Sequence, residues 1–143
     1  QGRQGIESQV PVIGTDIFPT IIDMLGLKLL PQQHIDGKSL VPLVKGGQTL
    51  SRKAIYWYFP HYSNHGMQSP GSAVRSGDYK LLEYFENQTV QLFNLKNDPG
   101  EQNDLAKAKP AKVSELKAML HKWQKEVGAK TMVKNPEYTS SSN

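Results

Sequence analysis

Residues 71–101 constrain this chain more than any other stretch. Three short runs rich in β-branched and aromatic residues sit there almost end to end: Ser72–Arg75, Tyr79–Phe85 and Val90–Leu95. Ser76-Gly77-Asp78 separates the first two, and Glu86-Asn87-Gln88-Thr89 the last two. Gly, Asn and Asp at such breaks are turn formers. Connections this short cannot carry a chain back to begin a parallel neighbour, so the runs predict an antiparallel meander. The remaining residues must cover that sheet, lead into it or hang from its rim.

Ala54 to Phe59 (AIYWYF) is the most aromatic segment and predicts a fourth strand. A polar loop, 60–70, joins it to the meander, and loops of that length are usually functional or mobile. Asn97-Asp98-Pro99-Gly100-Glu101 follows as a turn, and Asn103 or Asp104 caps a first helical turn, Leu105 to Lys109. Val113, Leu116, Leu120, Trp123 and Val127 then recur at steps of three and four, with lysines on the other side. Pro110 suits the first helical position. From Ala111 to Val127 such a helix spans ~25 Å at ~1.5 Å per residue, matching a short antiparallel sheet. The predicted class is α+β: an antiparallel four-stranded sheet packed on a long C-terminal helix.

Ahead of the sheet, Val10–Ile13 reads as a short strand. Thr15-Asp16 then offers a cap for a helix over 16–25, whose Ile17, Phe18, Ile21, Ile22 and Leu25 form a wide apolar face. Pro19 fits its first turn and Gly26 its left-handed end. His34–Gly37 reads as a turn, and Ser39 caps a second short helix, Leu40–Lys45. A helix of nine or ten residues does not hold alone, and this one has no evident partner in the chain. Residues 131–143 end in Ser-Ser-Ser-Asn and predict a frayed tail.

The 143 residues suit one domain or a piece of a larger one. No cysteine is present, which excludes disulfides and thiolate chemistry. No apolar run approaches the ~20 residues of a membrane span, and no signal-peptide pattern is visible from Gln1 onward. The net charge of +4 comes from lysines spread over the C-terminal third. With arginine confined to Arg3, Arg52 and Arg75, nucleic acid is not an expected partner.

No nucleophile–base pair is evident. His34 lies in a turn, where a local bond is the simplest reading, and His121 lies on the predicted helix, where a surface position is. His61 and His65 share the 60–70 loop with Tyr62, Ser63 and Asn64. No Glu follows His61, and Pro60 and Gly66 favour a loop over the helix a zinc pair needs. Two readings stand for His61, Tyr62 and His65: contacts to sugar hydroxyls, or plain solvent exposure. Glu83 and Glu86 read as charges on an open sheet face. Arg75 and Lys80 flank the Ser76-Gly77-Asp78 turn, where a salt bridge, a backbone contact or an anion contact would each fit.

Together the motifs resemble the C-terminal part of type I sulfatases. The early set is Thr15-Asp16-Ile17-Phe18-Pro19-Thr20, Leu25-Gly26 and Asp36-Gly37-Lys38-Ser39-Leu40. The later set is Tyr56-Trp57, Pro60-His61-Tyr62, Ala73 to Leu81, Leu92-Phe93-Asn94-Leu95, Asp98-Pro99-Gly100-Glu101 and Asn103-Asp104-Leu105. The resemblance covers Val10 to Val127 and is nearest the bacterial N-acetylgalactosamine-6-sulfatase and arylsulfatase A-like branch. It implies that 1–50 is the tail of an alkaline-phosphatase-like α/β catalytic domain, that 51–130 is the C-terminal subdomain, and that 131–143 is a tail. It further implies a periplasmic or secreted sulfuric ester hydrolase acting on sulfated carbohydrate. The catalytic formylglycine, made from the Cys or Ser of a C/S-x-P-x-R motif, and Ca²⁺ would lie in the N-terminal catalytic domain. This chain has neither that motif nor an Asp-Asp pair, so it is expected to be inactive alone. By the same resemblance His61, and with it Tyr62 and His65, approaches the sugar at the mouth of the active site. The alternatives are a stand-alone glycan-binding module and a purely structural one.

Overall fold

The computed structural model describes residues 5, 7–62, 69–130, 132 and 133. It divides into two compact units, Gln1–Ile55 and Tyr56–Asn143.

In the first unit a single 3₁₀ turn, Gly14–Asp16, leads into α1 (Ile17–Met24), and α2 (Val41–Val44) follows. Gly26 closes α1 with a positive φ of 67° as expected. Ser39 Oγ accepts from Val41 N–H at 3.2 Å, but Leu40 holds the N-cap position of α2, so Ser39 does not cap the helix as expected. The short strand over Val10–Ile13 does not form. Ile13 is extended (φ −140°, ψ 156°), but no described strand lies beside it, and its N–H turns to the Asp16 carboxylate at 2.9 Å. Asp16 therefore faces backward and does not cap α1.

The second unit is built on β1 (Ile55–Phe59), β2 (Gly71–Ser76), β3 (Tyr79–Tyr84) and β4 (Val90–Asn94), in the spatial order β1-β2-β3-β4. Both meander pairs are antiparallel. Gly77-Asp78 alone joins β2 to β3, and Gly77 takes φ +57°, the geometry that lets a two-residue hairpin follow the sheet twist. Val74, Leu81 and Leu92 stand side by side in the register with no accessible surface.

The helix α3 (Pro110–Glu126) packs on β2 and β3 and buries Leu116 and Leu120. Each fully buried leucine contributes ~1.5–3 kcal/mol. Trp123 stacks on Tyr56 with ring centroids 4.9 Å apart and planes within 5°. Val127, the last position of the sequence stripe, lies past the helix end and is 47% exposed. Beyond β4 the chain doubles back. Leu105 N–H donates to Leu92 O at 2.7 Å, and Asp104 accepts from Leu92 N–H at 3.0 Å. Asp104 also receives Ala106 N–H at 2.9 Å, so it caps the following turn.

Candidate functional site

Among the described residues, four side-chain constellations carry polar chemistry. In the first unit, the motif residues of 16–23 and 37–40 bond to each other. Asp16 is wholly buried and accepts Ile13 N–H and Lys38 N–H, each at 2.9 Å. The Arg52 guanidinium grips both its oxygens at 2.7 and 2.8 Å and donates to Pro11 O at 3.0 Å. Burial alone would raise the Asp16 pKa, but the Arg52 fork and the two N–H donors outweigh it and hold the carboxyl below its ordinary value. Thr20 Oγ donates to Asp16 O at 2.5 Å and accepts Leu40 N–H at 2.9 Å. Ser39 donates to the Asp23 carboxylate. Gly37 passes so close that an added Cβ would lie 2.3 Å from Thr15 O. Asp16 has its oxygens occupied by four donors, so this is a clasp and not a base. His34 lies beside Phe18, at a centroid distance of 6.3 Å, and both its ring nitrogens are buried without a hydrogen-bond partner, contrary to the local bond expected in its turn.

The second constellation is the seam between α3 and the sheet. Glu83 is buried there, 2.7 Å from His121 Nε2 and 3.0 Å from Lys117 Nζ. Gln124 donates to Ser72 Oγ at 3.0 Å alongside. Glu83 shares its face with Leu81, the face α3 covers, so it is not the open-face charge expected. His121 is half-exposed but bonded. A cleft of about 570 Å³ lies here, lined by Tyr58, Glu83, Lys117, His121 and Lys125 among others.

The third is the rim where β1 ends. His61 is exposed and meets Phe59 edge-on at 5.7 Å. Tyr62 is 61% exposed, and its hydroxyl donates to Glu86. His65 lies outside the described residues. No described nucleophile accompanies His61 or Tyr62.

The fourth is the sheet face turned away from α3, which carries Trp57, Phe59, Ala73, Arg75, Lys80 and Leu82 by strand alternation. A cleft of about 820 Å³ opens on it, lined by Trp57, Phe59, Leu82, Tyr84, Gln91 and Asp104 among others. The Tyr84 hydroxyl bonds Gln91 at 2.8 Å. Desolvation, then the charges of Glu101 and Asp104, push its pKa up, so it stays a protonated donor. Arg75 and Lys80 are direct cross-strand partners. Lys80 pairs with Glu101 at 2.7 and 2.9 Å, whereas Arg75 Nε is buried without a partner. A salt bridge, one of the readings for Lys80, is found with Glu101; the seam at Glu83 was missed, although the i,i+2 step from Leu81 to Glu83 was its available signal.

Among the described residues no three His, Asp or Glu side chains come together as a metal site. The family model for the C-terminal domain of N-sulphoglucosamine sulphohydrolase matches residues 3–130. The chain belongs to that family.

The chain is similar to arylsulfatase K of Danio rerio, at 30% identity over 128 residues, 82% of this chain and 23% of the relative. It is similar to the Delta 4,5-hexuronate-2-O-sulfatase of Bacteroides thetaiotaomicron, at 31% identity over 92 residues, 64% of this chain and 19% of the relative. Among solved structures, a 2-O GAG sulfatase superposes with a TM-score of 0.68 at 27% identity, covering 80% of this chain and 25% of that one. The domain thus spans about a quarter or less of the proteins it resembles. The sulfatase membership and the α+β class read from the motifs are both borne out.

Proposed function

We propose that this chain is the closing domain of a sulfatase that hydrolyses sulfate esters of sulfated glycans. The observation that carries this is the family match over nearly the whole chain, with sulfatases as its relatives. In such an enzyme a formylglycine would supply the nucleophile and Ca²⁺ the counter-charge to the sulfate. The residues of this chain do not fit either group. It holds no Cys and no Ser-x-Pro-x-Arg, and no described carboxylate cluster suits a cation. No catalytic step is therefore routed through it, and the chain alone is inactive. The N-terminal catalytic body is its partner on the same polypeptide, exported to the periplasm or beyond.

What this chain contributes is closure and, at the β1 rim, specificity. His61 is exposed at the mouth of the 60–70 loop, and Tyr62 beside it is held by Glu86. Imidazole and phenol groups suit sugar hydroxyls, and His65 belongs to the same loop. No helix among the described residues is long and apolar enough to cross a membrane.

Intact mass and peptide mapping of the natural polypeptide test the reading, together with an assay on sulfated disaccharides and on a small aryl sulfate. The expected result is a sulfatase catalytic body on the same chain. A mature 143-residue protein without sulfatase activity would overturn it. For the rim, His61→Ala should raise KM for the disaccharide and leave the aryl sulfate untouched. Equal kinetics on both substrates would make the rim purely structural.

A further inference from the structure

We infer that the cleft between α3 and the turn after β3 binds an anionic unit of a sulfated glycan, with Lys125 and Lys117 as its cationic contacts. Lys117, His121 and Lys125 follow one another at steps of four and so make one row along α3. All three line the cleft of about 570 Å³. At ~3.6 residues per turn, Glu115, Lys122 and Glu126 fall on the other side of the helix. There Glu115 pairs with Lys112, and Glu126 with Lys122. The carboxylates of α3 are therefore turned away from the row.

Among the described residues lining the cleft, Glu83 is the one carboxylate. It meets Lys117 at 3.0 Å and His121 at 2.7 Å, one oxygen to each. Both oxygens are thus occupied. Lys125 is exposed, and none of the ion pairs among the described residues includes it. Two lysines against one glutamate leave a positive surplus, before any proton on His121. A concave wall focuses such a surplus on an anion more strongly than a flat surface does. Because Glu83 already fixes Lys117 and His121, less side-chain freedom is lost on binding.

The rest of the lining favours a sugar as bearer of the anion. Tyr58 and Phe85 meet at 46° with ring centroids 5.5 Å apart, and the Tyr58 hydroxyl is tied to Lys130 O. Rings set this way offer apolar edges to C–H groups and no parallel platform for a nucleobase. Gln88 adds an amide for hydroxyl groups. The cleft also shares a turn with the β1 rim, since Glu86, which holds Tyr62, lies between Phe85 and Gln88. A glycan that reaches the rim thus has a route along the cleft. The inference rests on the sulfated-glycan reading above and adds a second point of grip on the same ligand.

The test uses the natural full-length polypeptide, with dextran sulfate and unsulfated dextran of equal length as probes. Dextran sulfate should shield Lys117 and Lys125 from amine acetylation and leave Lys122 open. Equal shielding of all three means diffuse attraction to a basic surface and overturns the inference, as does no shielding of Lys125. Lys125→Glu should weaken binding of dextran sulfate about tenfold at low salt, and Lys125→Arg should hold it near the parent value. Unchanged affinity in Lys125→Glu, or equal binding of the unsulfated polymer, overturns the inference. Tighter binding of a thymidine oligonucleotide than of dextran sulfate assigns the cleft to nucleic acid and also overturns it. The shielding pattern in a polypeptide devoid of sulfatase activity would sink the enzyme reading and leave the cleft standing. Sulfatase activity without the pattern would do the reverse.

Discussion

Asp16 shows how one residue can be recognised in a sequence and its physical role still be misread. Its place ahead of an apolar run suggests a helix cap, because a cap is a local event. Its main partner, Arg52, is 36 positions away, and no local window can pair them. Removing one side of a buried ion pair leaves the other uncompensated and costs ~3–5 kcal/mol. Asp16→Ala and Arg52→Met should each destabilise the first unit by that order, read by denaturant unfolding and by faster exchange of the Lys38 amide. Little change in either would demote the clasp to decoration. The folded pKa of Asp16 lies below its unfolded value of ~3.9, so its stabilisation is complete above that pH. It is lost as pH falls through the lower folded value. An Asp16→Asn protein should show a flatter stability profile through this acid range. Gly37→Ala tests the same joint sterically. A methyl at 2.3 Å from Thr15 O forces the backbones apart, at a cost of ~1–3 kcal/mol. The Asp-Gly-x-Ser-Leu pattern was visible in the sequence, but the carbonyl that requires the glycine was not.

At the scale of elements, the meander and α3 were legible because their signals are periodic and local. Strand bounds fall within a residue or two of those expected, and Leu116 and Leu120 are the buried steps of the stripe. Alternation divides a strand into two faces but does not say which one a helix will cover. Glu83 was misplaced for that reason: Leu81, two residues earlier, is the core, and Lys117 and His121 come from a helix distant in sequence. Leu120→Ala should cost ~2–5 kcal/mol, while Val127→Ala, half-exposed past the helix end, should stay within ~0.5 kcal/mol. Equal losses at the two positions would mean that α3 does not seat as described. Glu83→Ala should loosen the second half of α3, seen as faster amide exchange around Lys117 and His121 with the β2–β3 ladder unchanged.

At the scale of the molecule, α1 leaves Ile17, Phe18, Ile21 and Met24 between 51% and 68% exposed. An apolar patch of this kind marks a surface made for contact. The chain expressed by itself should bind a hydrophobic dye and self-associate, and Ile17→Lys combined with Ile21→Lys should suppress both without lowering the melting temperature. Dye-free, monomeric behaviour of the unaltered chain would contradict this. The sheet, by contrast, is guarded at one side. Where the chain doubles back beside β4, the N–H and the C=O of Leu92 are both occupied, one by a carboxylate and one by a main-chain amide. An incoming strand needs those same two groups. The turn after β4 thus works as a stop against strand addition, and fibril-like growth of this sheet is turned away at that edge whatever the concentration of the protein.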